Sequence, residues 1–157
     1  MSAPDVPDRR ASLSQVLKAL RRQRGLRPGQ VAQAMGMRPR SYEYFESGRG
    51  RLNLDRIHRF AEVLDVDPFA IVAALEIGSP RFALRCADNK LMTILIMALQ
   101  DFDTQAGDDI ARLDARSLIG EFTRALDELA RRAREHDAFV ETWMAEKGSL
   151  AKGGEGG

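Results

Sequence analysis

The chain has 157 residues, 44% apolar and 30% charged, a balance that allows a packed core and argues against wholesale disorder. Its 24 basic and 23 acidic side chains nearly cancel, yet residues 1–80 carry 13 Lys/Arg against 9 Asp/Glu and residues 81–157 carry 11 against 14, so a basic front and a mildly acidic back point to two jobs. One cysteine (Cys86) and two histidines exclude a disulfide framework and a multi-Cys zinc site, and the apolar run from Leu91 to Leu99 is far below the roughly 20 residues of a membrane span.

No charged-then-apolar leader opens the chain, and a soluble, cytoplasmic protein is expected. Residues 1–11 contain two prolines and no periodicity, and read as a flexible arm. Beyond them, apolar residues recur at helical spacing and no alternating strand pattern appears, which predicts an all-α chain. The first helix should begin near Ser12 or Ser14, bury Leu13, Val16, Leu17 and Leu20, and stop at Gly25. The second opens at Pro28, turns Val31, Ala32 and Met35 inward and halts at Gly36. A third runs from Pro39 to Ser47 with Tyr42 and Phe45 inward, followed by the loop Gly48-Arg49-Gly50. Asn53 caps a fourth helix carrying Leu54, Ile57, Phe60, Ala61 and Leu64. Asp67-Pro68 starts a fifth, and Gly78-Ser79-Pro80 is expected to close a domain spanning 12–80.

The second half reads differently. A helix over about Asp88 to Gln105 presents Leu91, Ile94, Leu95, Ala98, Leu99 and Phe102. After a break at Gln105-Ala106-Gly107-Asp108, a long helix capped near Asp114 runs to about Lys147, its apolar positions stepping by three and four from Leu118 to Trp143. A helical hairpin over 81–147 cannot bury both stripes alone, and a second copy of the chain is the expected cover, with Leu95, Leu99, Phe122, Leu126, Leu129 and Trp143 as the dimerisation residues. Residues 148–157, ending Gly-Gly-Glu-Gly-Gly, read as a disordered tail.

Leu26 to Phe45 holds two short helices around Gly36, with the small Ala32 allowing them to cross closely. Such a helix-turn-helix sets its second helix proud of the surface, where its N-terminal side chains can reach base edges. The segment resembles the Xre/Cro-type helix-turn-helix family of phage and bacterial repressors over about residues 12–77. The resemblance rests on Leu-Arg-Arg-Gln-Arg-Gly-Leu (20–26), Val-Ala-x-x-Met-Gly-Met (31–37), Tyr-Glu-Tyr-Phe-Glu-Ser-Gly-Arg (42–49), Leu-Asp-Arg-Ile (54–57) and Phe-Ala-Glu-Val-Leu-Asp-Val-Asp-Pro (60–68), in order and in register. It implies a five-helix, lambda-repressor-like DNA-binding domain with Pro39–Ser47 as recognition helix. It places Arg38, Arg40, Ser41 and Tyr44 against bases, Arg40 being best suited to the two acceptors of guanine. Arg49 and Arg51 are expected on phosphates. Pro28 stands where the family often has a phosphate-binding Gln, and Gln30 is the substitute. The resemblance also pairs Arg21 with Glu46.

The expected function is therefore that of a sequence-specific transcriptional regulator, a homodimeric repressor that occludes promoters on a pseudo-palindromic double-stranded DNA operator. It would be nucleoid-associated when bound. An activator touching RNA polymerase, or an antitoxin or adaptor whose C-terminal helices hold another protein, are the other readings. No catalytic group, metal or other cofactor is expected. Cys86 reads as a packing residue, His58 and His136 lack ligand-like neighbours, and Arg131, Arg132 and Arg134 sit among Asp127, Glu128 and Glu135 as intrahelical ion pairs.

Overall fold

The computed structural model describes residues 8–152, and among them every regular element is helical. In chain order these are α1 (Arg9–Gln23), α2 (Pro28–Ala34), α3 (Pro39–Glu46), α4 (Leu54–Leu64), α5 (Pro68–Glu76), α6 (Pro80–Arg85), α7 (Leu91–Ala106), a 3₁₀ segment (Gly107–Arg112) and α8 (Ala115–Lys152). The chain divides into two compact units, Met1–Gln105 and Ala106–Gly157.

The start and stop signals of the first unit work as their chemistry requires. Asn53 accepts a hydrogen bond from the Arg56 N–H, and Asp67 accepts from the N–H groups of Phe69 and Ala70, so both cap the helices that follow them. At the end of α2, Gly36 takes φ +66°. Its N–H donates to the Gln33 carbonyl and that of Met37 to the Ala32 carbonyl, which closes the helix and turns the chain into α3.

One core joins the first six helices. Val16, Leu17 and Leu20 of α1 meet Val31 of α2, Tyr42 and Phe45 of α3, Ile57 and Phe60 of α4 and Ile71 of α5, all buried. Each large aliphatic side chain removed from water in this way contributes roughly 1.5–3 kcal/mol. Phe45 sits between Tyr42 and Phe60, with ring centroids 6.1 and 5.9 Å away, which ties α3 to α4 through tilted aromatic contacts.

Four boundaries differ from the sequence reading. Helix α1 begins at Arg9, earlier than Ser12, because Asp8 caps it by accepting from the Arg10 N–H. Residues 8–11 thus leave the expected arm, and residues 1–7 lie outside the described residues. Ser79-Pro80 opens α6 where a domain end was expected: proline at the first helical position is a start signal here as it is at Pro68. Helix α6 packs on α1 and α5 and buries Ala83, with Cys86 and Ala87 buried just after it, so the first unit continues past residue 80. Burial pushes the Cys86 thiol pKa up, as befits a packing residue. Helix α7 starts at Leu91, three residues later than expected, after Lys90 turns through φ +57°. At the other end α8 continues through Lys152, into the stretch read as a tail, while residues 153–157 lie outside the described residues.

What seats α7 on the domain is a second use of Asp67. Besides capping α5, its carboxylate accepts from the N–H groups of Met92 (2.8 Å) and Thr93 (3.2 Å) and from the Thr93 hydroxyl (2.8 Å). One buried side chain therefore caps two helices. Around it, Arg24 donates to the carbonyls of Leu64 and Asp65 at the end of α4 and to the Asp88 carboxylate. The Lys90 ammonium donates to the Asp65 and Ala87 carbonyls. Asp65, a non-glycine residue at φ +52°, is held by these cations. Asp67→Ala should cost about 2–4 kcal/mol, by losing two caps and stranding the donors at the start of α7. A urea unfolding midpoint unchanged from the native protein would refute the double cap.

Candidate nucleic-acid interface

Helix α3 owes its exposure to its own amphipathicity. Tyr42, Phe45 and Glu46 are buried, whereas Arg40, Ser41, Glu43 and Tyr44 are exposed, as is the N-cap residue Arg38. Pro39 occupies the first helical position, where its missing N–H leaves no bond unmade. The four residues expected against bases, Arg38, Arg40, Ser41 and Tyr44, thus lie together at the exposed side of one short helix. Their guanidinium and hydroxyl groups are free to meet an external acceptor.

The orientation of that helix is fixed from behind by the buried pair expected between Arg21 and Glu46. Arg21 Nε lies 3.0 and 3.1 Å from the two Glu46 oxygens, Nη2 lies 2.8 Å from Oε1, and Nη1 donates to the Leu26 carbonyl at 3.0 Å. One guanidinium therefore joins α1, the turn into α2 and the last turn of α3. Hydrogen bonding to Glu46 raises the Arg21 pKa further, outweighing desolvation. Tyr42 stands beside the pair with a buried hydroxyl that has no hydrogen-bond partner, and burial followed by the Glu46 carboxylate pushes its pKa well up.

Gly48 makes possible a further contact behind α3. It adopts φ +70°, and a Cβ there would lie 2.2 Å from the Arg10 carbonyl oxygen of α1, so only glycine lets the chain leave α3 so close to α1. The loop that follows exposes Arg49 and Arg51. Gly50 approaches the Tyr44 ring closely, a Cβ at this position falling 3.0 Å from it. Gln30 is exposed in the first turn of α2, but its side-chain oxygen accepts from the Arg27 N–H at 2.8 Å. Its amide NH₂ remains available to donate to an external partner.

A groove of about 570 Å³ runs beside the start of α3, between Arg38 and Ser41 on one side and Arg56 and Arg59 of α4 on the other, with Asp55 at its edge. Arg59 was not among the sequence candidates. Its guanidinium donates to the Met35 carbonyl at the end of α2 (3.2 Å), so it braces the turn as well as lining the groove. The signal available in the sequence was the pair of arginines one turn apart on α4, at positions that the apolar series Leu54, Ile57, Phe60, Ala61 and Leu64 leaves to solvent.

Residues 12–70 match the family model of a helix-turn-helix domain. That part of the chain is a helix-turn-helix domain, a fold suited to binding DNA. No curated protein and no solved structure matches the chain. Its exposed α3 face and following loop bring Arg38, Arg40, Arg49 and Arg51 to the surface, and Glu43 is the one exposed carboxylate on α3 itself. A surface of this kind supplies the positive contacts that a phosphate backbone requires.

The residues expected at a dimer interface are distributed over both units. Leu95 and Leu99 lie on α7, and Phe122, Leu126, Leu129 and Trp143 on α8; all six are between 43 and 62% exposed. No residue of α7 is fully buried. On α8 Arg131 pairs within the helix with Glu128 and Glu135 and Arg132 with Glu128, as expected, whereas among the described residues Arg134 and Asp127 form no ion pair; Asp114 caps the helix by accepting from the Ser117 N–H. Among the described residues no helix is long and apolar enough to cross a membrane, and no cluster of His, Cys, Asp and Glu could hold a metal ion.

Breaking the Arg21–Glu46 pair from one side should be costlier than removing it whole. Glu46→Ala is expected to destabilise by about 3–5 kcal/mol, because it strands a buried guanidinium. The double change Arg21→Met with Glu46→Leu should recover most of that loss. Denaturant midpoints of the three proteins measure this, and equal losses for single and double variants would contradict it. Tyr42→Phe, which removes an unbonded buried hydroxyl, should be nearly neutral in the same assay.

Proposed function

We propose that the chain is an Xre/Cro-type, sequence-specific transcriptional regulator that binds a pseudo-palindromic operator as a homodimer and represses by occluding the promoter. The observation that carries this reading is the exposed α3 face, with Arg38, Arg40, Ser41 and Tyr44 side by side on a helix locked from behind by Arg21 and Glu46. A helix so mounted can enter the major groove by its N-terminal end.

The roles divide by reach. Arg40, in the first turn of α3, suits bidentate bonding to guanine O6 and N7. Arg38 and Ser41 lie close enough to share neighbouring base edges or a phosphate, and the Tyr44 ring suits a thymine methyl. Arg49, Arg51 and the free amide of Gln30 would hold the sugar–phosphate backbone, joined by Arg56 and Arg59 across the groove. Two copies would place two such helices about one helical turn apart, which is the geometry of a palindromic site. The uncovered apolar residues on α7 and α8 support pairing with another polypeptide, and a second copy of the chain is the simplest partner that also doubles the DNA contacts.

Selection of genomic fragments by the purified protein would define the operator. On it, Arg40→Ala should lose about 1–3 kcal/mol of binding and discriminate less at one base pair, with helicity unchanged. Arg49→Ala should instead weaken binding evenly across sequences and flatten its salt dependence. Unaltered footprints for Arg40→Ala would remove it from the site. Because α6 belongs to the core, a truncation after residue 80 would cut into the folded unit; a chain ending at Gln105 should keep the fold, lose α8 and bind half-sites weakly. Full-affinity operator binding by that shorter chain would show that α8 plays no part in assembly.

A further inference from the structure

The apolar positions of α8 repeat with more regularity than a general sticky face requires. From Ile119 through Phe122, Leu126, Leu129 and Val140 to Trp143 the steps alternate three and four, with Ala133 and His136 completing the series. This is a heptad seam with Ile119, Leu126, Ala133 and Val140 at one core position and Phe122, Leu129, His136 and Trp143 at the other. It lies on a continuous helix, and every large apolar residue in it is exposed. Such a stripe sustained over more than three heptads is the signature of a coiled coil.

We propose that α8 pairs with α8 of a second copy as a parallel, in-register coiled coil. This rests on the homodimer reading and specifies how the two copies meet. The flanking residues choose the orientation. In a parallel pair, each residue just before one core position faces the residue five further along on the partner, which sets Arg132 opposite Asp137, Ala125 opposite Ala130 and Phe139 opposite Met144. Leu118 likewise faces Thr123, so one pair is oppositely charged, the others are uncharged, and none is repulsive. The antiparallel alignment that overlaps the same stretch, Ile119 opposite Trp143, sets Arg132 against its own counterpart and buries His136 against Leu126. In the parallel register His136 meets His136, and a polar core position matched to itself fixes register in such coils. Within its own helix Arg132 bonds Glu128 at 2.9 Å, and it can turn to Asp137 of the other copy without moving the backbone.

Cysteine cross-linking of the full chain tests the orientation, in a Cys86→Ala background that removes the buried thiol. Under mild oxidation the Phe122→Cys chain should form a disulfide-linked homodimer, and the Arg124→Cys chain, substituted on the outer face of α8, should not. Asp137→Arg should weaken dimerisation by at least about threefold in sedimentation equilibrium, since it places two like charges together. Failure of Phe122→Cys to link to itself while it links to Val140→Cys in a mixture would overturn the parallel coil and leave the homodimer standing. A chain that sediments as a monomer at all concentrations would overturn both. Operator footprints score the DNA-binding reading separately.

Discussion

The exposed face of α3 depends on the buried contact between the Arg21 guanidinium and the Glu46 carboxylate. A helix of eight residues has little stability of its own, since nucleation is costly and few internal bonds repay it. Helix α3 must therefore be held by its surroundings, and its exposed side has to stay free of intramolecular contacts. Three nitrogen-to-oxygen distances of 2.8–3.1 Å anchor its last turn to α1, and Tyr42 and Phe45 fill the core beside them. The same guanidinium reaches the Leu26 carbonyl, so the entry to α2 and the exit of α3 are tied to one point on α1. Charges so deeply buried are worth less as stability than as orientation, because desolvation offsets much of their attraction.

Around this anchor the turns are set by local stereochemistry. Gly36 supplies the left-handed residue between α2 and α3, and Arg59 bonds the carbonyl that precedes it. Gly48 lets the chain pass within reach of α1 where any side chain would collide. These constraints leave the first turn of α3 exposed with Arg38 and Arg40 at its head. A second anchor, Asp67, does for α7 what Arg21 does for α3. Its two oxygens satisfy donors at the starts of α5 and α7, so the beginning of α7 is fixed to the helix-turn-helix domain by hydrogen bonds, although no side chain of α7 is fully buried.

The division of chemistry along the chain follows from this arrangement. Basic side chains concentrate where a short, rigid helix presents them, and apolar ones remain uncovered on α7 and α8. Uncovered aliphatic and aromatic side chains in such number are costly in water, and the proposed pairing with a second copy would cover those of α8. The proposed coil turns the long stripe of α8 into a seam and brings both chains into it from the same end. Two DNA-binding domains joined in that way can engage one duplex together.

Local signals in the sequence determined most of the first unit. Proline at a first helical position, Asn53 and Asp67 as caps, and glycine after a helix each act through bonds to residues within a few positions, so the chain spells them out directly. The inward and outward faces of α3 were legible for the same reason, as was the stripe on α8. Asp8 as a cap and Ser79-Pro80 as a helix start use that same local chemistry, and were hidden by a charged, proline-containing beginning and by a glycine that looks like an ending. Other features were decided only by tertiary structure. Asp67 reaches α7 from 25 residues away, Arg59 bonds a carbonyl 24 residues before it, and Gly48 is required by the backbone of Arg10. Such partners are brought together by the packing of helices around a common core, and no spacing along the chain records which side chain will meet which carbonyl once that packing is complete.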